Sequence, residues 1–228
     1  MAQRRPATLD GSRLFWLLLK FVLLGPALRL LFRPRVAGLE HIPRSGGAIV
    51  AANHVSFLDP LLLPLVVPRR RVMFLTKTKY LDKPALRWFL AGAGVIPVAT
   101  DDPDAARGAV SAAVEAVRSG RLVGIFPEGT RSPDGRLHRG RTGVGRMALA
   151  SGAPVIPAGI IGTDLALPRG ARLPRPRPVR IVFGPPIRFP VPGDEAGMRS
   201  LSRAATDEVM AAIRALSGQQ PAEVDPAT

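Results

Sequence analysis

Leu14 to Phe32 is the most apolar stretch of the chain, and it is broken. Lys20, Gly25–Pro26 and Arg29 interrupt it, leaving short runs at 14–19 and 21–24. A spanning helix needs about 20 apolar residues with few charges. The pattern predicts instead two short amphipathic helices, parted where Pro26 breaks the helix. Arg13 and Lys20 fall on one helix face, and Arg29 and Arg33 on another. Such basic stripes, with Phe15 and Trp16, suit helices lying in a headgroup layer. A single core helix packed on the domain is the other reading. A secretory signal fits poorly, because no small-residue cleavage site follows and Arg33-Pro34-Arg35 comes next.

Beyond this segment, short apolar runs alternate with helical patterns. Strands are predicted at 48–52, 72–75, 95–98, 122–126, 155–161 and 179–183. Helices are predicted at 56–67, 84–91, 104–118, 143–150 and 195–216. This alternation predicts an α/β fold, a single domain with a mixed sheet flanked by helices. The expected organisation is a membrane-associated helical segment at 1–34, a catalytic-size domain at 35–217 and a disordered polar tail at 218–228.

Composition narrows the chemistry. The 228 residues carry 32 Lys plus Arg against 17 Asp plus Glu, a net charge of +15, and no Cys. Thiol nucleophiles, disulfides and Cys-ligated metals are therefore excluded. No His-Glu-x-x-His pattern suggests another metal site. The excess charge calls for an anionic partner: a nucleic acid, a membrane surface or a phosphorylated substrate. Six Arg between Arg169 and Arg188, with no acid among them, form one basic block. One Tyr and two Trp in the whole chain are poor stock for base stacking. Anionic headgroups are therefore preferred to nucleic acid. Gly143-Val-Gly145-Arg-Met-Ala148 matches a dinucleotide fingerprint only on paper, since it follows a basic loop and not a strand.

Two stretches carry candidate chemistry. In Asn53-His54-Val55-Ser56-Phe57-Leu58-Asp59, the predicted strand delivers His54 to its C-terminal end, where α/β sites gather. A histidine there can serve as a general base, with a carboxylate holding its ring. Five residues turn a helix by about 140°, so His54 and Asp59 can meet only if His54 precedes the helix and the chain bends back. A plain helix start is the competing reading, with Asp59 at the third position after Ser56. In Phe126-Pro127-Glu128-Gly129-Thr130-Arg131-Ser132, Arg131 offers a planar fork for phosphate oxygens. Gly129 allows close backbone approach, where successive N–H groups can form an anion nest. Glu128 paired with Arg131 in a solvated basic loop is the bland alternative. Ala153-Pro154-Val155-Ile156-Pro157-Ala158 then supplies a proline-bracketed strand as a pocket wall.

Taken together and in this order, the motifs resemble those of the glycerolipid acyltransferase family, specifically bacterial 1-acylglycerol-3-phosphate acyltransferases, over roughly residues 35–190. The resemblance implies acyl transfer from acyl-CoA or acyl carrier protein to the sn-2 hydroxyl of 1-acyl-sn-glycerol 3-phosphate, giving phosphatidic acid. It implies His54 as general base, Asp59 as its orienting partner, and Glu128, Gly129, Thr130 and Arg131 as acceptor-binding residues. No cofactor or metal is implied, and the expected place is the cytoplasmic face of the membrane, held by anionic lipids. One block departs from the family. Where the family has Gly-x-x-x-(Ile/Val)-x-Arg, this chain reads Gly94 to Thr100, so Thr100 stands in place of a phosphate-binding Arg. Lys77 is the better substitute, with Arg107 second. A larger-headed lysolipid acceptor, or a non-catalytic basic adaptor on the same fold, are the alternatives.

Overall fold

Seven strands form one mixed sheet in the computed structural model, which describes residues 17–77, 82, 95–98 and 103–222. They are β1 (Arg35–Ala37), β2 (Ala48–Ala52), β3 (Val72–Lys77), β4 (Val95–Val98), β5 (Leu122–Ile125), β6 (Val155–Ile161) and β7 (Arg180–Phe183). Their order across the sheet is β1-β7-β6-β2-β5-β3-β4, and only the β6–β7 pair is antiparallel. The described helices are α1 (Gly25–Phe32), α2 (Asp59–Val66), α3 (Pro103–Arg118), α4 (Gly143–Ser151), α5 (Thr163–Ala166) and α6 (Glu195–Ser217). Parallel neighbours require crossovers, and α2, α3 and α4 lie in three of them.

Central strands buried on both faces read as continuous apolar runs. Every residue of β2 is buried. Its alternating side chains split between two cores. Ala48, Val50 and Ala52 face α2, with Leu62 and Leu63, while Ile49 and Ala51 face Met147, Val209 and Ile213 of α4 and α6. α6 is closed by an Asp194 carboxylate accepting from Gly197 N–H at 2.7 Å and by Gly218 in the left-handed region at φ 70°. Its last turn lies so close to β6 that a Cβ at Gly159 would stand 2.5 Å from the Leu216 carbonyl carbon.

The predicted strands and helices at 48–52, 95–98, 104–118, 143–150, 155–161 and 195–216 are present to within a residue or so. The predicted helix at 84–91 lies outside the described residues, as do Arg13, Phe15 and Trp16. β1 and α5 are new: three or four residues show no periodicity to read.

Three expectations are corrected. The predicted boundary at 34–35 does not divide two units, because Leu28 and Phe32 of α1 sit in the same core as Ile181 and Phe183. The chain does bend at Leu24, between a π-helical turn at Leu19–Leu23 and α1, whose first turn holds Pro26. Lys20 is not on an exposed basic stripe. It is 5% exposed, and its ammonium donates to the carbonyls of Pro64 and Val67 at the end of α2. Burial, with Arg29 nearby, pulls its pKa down to about 8. Lastly, 218–228 is not wholly a loose tail. Leu137 N–H donates to Gln220 O at 2.9 Å and Ala222 N–H to Leu137 O at 3.0 Å, so this part of the tail is tied to the loop before α4; residues 223–228 lie outside the described set.

Candidate active site

β2 ends at Ala52, and the next residue locks the strand end. Asn53 is fully buried, and its amide donates to Ile160 O at 2.8 Å and accepts from Ile160 N–H at 2.7 Å, extending the β2–β6 ladder through a side chain. His54 follows at the sheet edge, before α2 begins at Asp59. Pro60 is tolerated in the first helical turn, where its missing N–H has no intrahelical partner to lose.

The chain between them bends back, as the helical period demands. His54 Nδ1 lies 2.9 Å from Asp59 Oδ2. The same oxygen accepts the N–H groups of Val55 and Ser56, each at 2.8 Å. Asp59 Oδ1 accepts from Thr163 Oγ1 at 2.6 Å. With both oxygens accepting, the ring hydrogen belongs on Nδ1, and the Nε2 lone pair is left for another proton. The plain helix-start reading is half right, since Asp59 does cap Ser56 N–H. The reciprocal half is displaced: Ser56 Oγ accepts the N–H of Leu58 at 3.4 Å and not that of Asp59, and donates to Leu167 O at 3.1 Å.

The second motif grips the peptide groups of His54. Glu128 Oε1 accepts His54 N–H at 2.9 Å, and Ser132 N–H donates to His54 O at 2.7 Å. The imidazole stacks on Phe126, centroids 4.1 Å apart and planes 17° apart, and Phe126 stacks in turn on Phe74 at 5.2 Å. His54 thus has its ring edge fixed by Asp59, its ring face by Phe126, and its backbone by Glu128 and Ser132. Its side chain is 16% exposed, enough for one edge to meet a substrate.

The sequence expectation for Glu128 needs correction. The residue is only 4% exposed, and its second oxygen accepts His138 N–H at 3.1 Å. It braces backbone and does not pair with Arg131. Gly129 takes φ 72°, with its N–H turned back to Phe126 O at 2.9 Å, so that N–H is not part of an anion nest. A Cβ there would stand 2.9 Å from Arg141 Cδ, placing a second arginine against the turn. Thr130 is exposed. Arg131 lies over the Phe57 ring, its guanidinium carbon 3.5 Å from the centroid. The parallel register carries Lys77, at the end of β3, to the same sheet edge as His54 and Glu128. Arg107 falls within α3, and Thr100 lies outside the described residues. Thr163, Phe126 and Arg141 escaped the sequence reading. The only hint of Thr163 is Gly162 before it, which adopts φ 86° after β6.

The acyltransferase family profile matches residues 33–161. The chain belongs to the acyltransferase family. It is 33% identical over 158 residues to a chloroplastic 1-acyl-sn-glycerol-3-phosphate acyltransferase of Brassica napus, covering 68% of this chain and 45% of that protein. It is also 33% identical over 129 residues to a 1-acyl-sn-glycerol-3-phosphate acyltransferase of Borreliella burgdorferi, covering 57% and 51%. The chain thus spans about half the length of these curated relatives. The crystal structure of the 1-acyl-sn-glycerophosphate (LPA) acyltransferase PlsC of Thermotoga maritima superposes with a TM-score of 0.63 at 28% identity, covering 82% of this chain and 73% of that one. The α/β sheet flanked by helices is therefore the fold of an acyltransferase.

The brace at Glu128 carries a pH signature. Burial raises its carboxyl above the ordinary glutamate value, outweighing the two N–H bonds that favour the anion. The folded state therefore keeps this proton to higher pH than the unfolded chain does. Stability from that proton is full below the ordinary value and is lost as pH rises through the raised one. Urea unfolding of wild type and Glu128→Gln from acid to neutral pH checks this. The wild-type stability relative to the variant is expected to fall with rising pH and then level off. A difference that stays constant or rises contradicts it.

Proposed function

We propose that the chain transfers an acyl group from a thioester, acyl-CoA or acyl carrier protein, to the sn-2 hydroxyl of 1-acyl-sn-glycerol 3-phosphate. The observation that carries this reading is the fixed His54–Asp59 pair, with the Arg131 guanidinium seated on Phe57, a residue of the same 54–59 turn. His54 Nε2 takes the proton of the acceptor hydroxyl as its oxygen attacks the thioester carbonyl. Collapse of the tetrahedral adduct breaks the carbon–sulfur bond, and the proton passes from His54 to the departing thiolate. The products are phosphatidic acid and the free thiol. Asp59 holds the ring tautomer and stabilises the imidazolium that forms between the two steps. No acyl-enzyme is needed.

Arg131 binds the acceptor phosphate through its planar fork. Lys77 supplies the second charge that Thr100 lacks. Gly129 and Thr130 line the acceptor turn, and Glu128 acts behind them by holding His54. A larger lysolipid headgroup is the alternative acceptor.

The acceptor is a lipid, so a bilayer surface belongs to the same reading. Phe21, Val22 and Leu30 of the N-terminal segment are exposed, and no described helix is long and apolar enough to cross a membrane. The Arg-rich block expected to meet headgroups begins in residues 169–178, all of which are exposed. Val179 N–H donates to Phe32 O at 2.9 Å, joining the end of this loop to the end of α1. The segment and the loop form a monotopic contact with anionic lipid on the cytoplasmic face, and nucleic acid is not a partner.

Two experiments test the reading. In an acceptor panel with labelled acyl-CoA, transfer to lysophosphatidic acid is expected. His54→Ala should lower kcat by about 10² or more, as for loss of a general base. Arg131→Ala and Lys77→Ala should chiefly raise the acceptor KM. No transfer to any lysolipid, or full activity in His54→Ala, overturns the mechanism and favours a basic adaptor. In vesicle co-sedimentation, replacing Arg169, Arg172, Arg175 and Arg177 by Gln should weaken binding to anionic vesicles and leave neutral ones unaffected. Unchanged binding removes the loop from the membrane contact.

A further inference from the structure

Phe57 sits inside the first motif yet is 54% exposed, so it does not serve the core. Its ring instead underlies the guanidinium of Arg131, at 3.5 Å from carbon to centroid. The two residues come from different motifs, one after β2 and one after β5. Among the described residues, no carboxylate pairs with Arg131, and no carbonyl takes its N–H groups.

This mode of contact matters. A guanidinium held by an acid is neutralised, and its donors are spent. A guanidinium held by its flat face on an aromatic ring keeps its charge and all five edge donors. The stacked geometry thus fixes the plane of the fork and leaves its edge open to an anion. Immobilising an Arg side chain costs rotamer freedom, and a platform offsets part of that loss before the ligand arrives. The loop places the platform well: Phe57 lies between His54 and Asp59, so the fork is registered to the same short segment that fixes the catalytic ring.

We propose that Phe57 is a positioning residue for acceptor recognition, holding the Arg131 fork flat so that it receives a phosphate monoester beside His54. The proposal rests on the acyltransferase reading for the identity of the anion. Phe57 does not touch the reacting atoms and has no share in proton transfer.

The test is a steady-state comparison of wild type, Phe57→Leu and Phe57→Tyr, with lysophosphatidic acid as the varied acceptor and acyl-CoA saturating. A cation–π contact of about 0.5–2 kcal/mol corresponds to a factor of about 2–30. Phe57→Leu is expected to raise the acceptor KM by a factor in that range, with kcat and the acyl-CoA KM changed less than twofold. Phe57→Tyr, which keeps the ring, is expected to restore the wild-type KM. In an Arg131→Ala background, Phe57→Leu should have no further effect on acceptor KM. Equal KM values for wild type and Phe57→Leu overturn the proposal, as does a fall confined to kcat or a full additional effect without Arg131. Absence of acyl transfer in wild type is a different result, since it overturns the reading on which the proposal rests. Circular dichroism and unfolding of Phe57→Leu should match wild type, as expected for a half-exposed position.

Discussion

The Asp59 carboxylate is the constraint from which the site is built. It is fully buried, and a buried charge is tolerated only when hydrogen-bonded on all sides. Four donors meet it: the His54 ring, two backbone N–H groups and the Thr163 hydroxyl. Each comes from a segment that could otherwise move. The two backbone donors force the 54–58 turn to curl over the start of α2. The imidazole is held in one tautomer. Thr163 brings the end of β6 to the end of β2. Removing the carboxylate would release all of these, which is why the charge is both costly and hard to replace.

A second layer makes this knot rigid. Glu128 and Ser132 hold the two peptide groups of His54, and Phe126 holds the ring face. These residues follow β5, the neighbour of β2 in the sheet. The parallel register of the two strands brings the motifs together, although about 70 residues of sequence separate them. The consequence for function is that the proposed base and the proposed phosphate-binding arginine are fixed to one frame. Positioning of this kind supplies a large part of the rate in bimolecular group transfer.

Much of this was legible in the chain. Period and composition reveal the α/β alternation, and the helical-rotation argument correctly requires His54 to precede the helix. Three things were not legible, each for a physical reason. Glu128 looks like a ligand-binding acid in a basic loop, because sequence does not show which donors a carboxylate will find. Lys20 looks like part of an amphipathic stripe, but its ammonium satisfies carbonyls at the end of α2, a contact 44 residues or more away. Thr163 reaches Asp59 and Phe126 reaches His54 only through tertiary packing, and neither residue type marks chemistry by itself.

This frame holds His54 as the Nδ1–H tautomer with Nε2 free to accept a proton. Long-range ¹H–¹⁵N correlation on the histidine-labelled protein near neutral pH tests it most directly. For His54, a protonated Nδ1 with a downfield proton shift and a non-protonated Nε2 are expected, with this preference lost in Asp59→Ala. A wild-type spectrum showing His54 protonated at Nε2, or averaging evenly between the two tautomers, contradicts it.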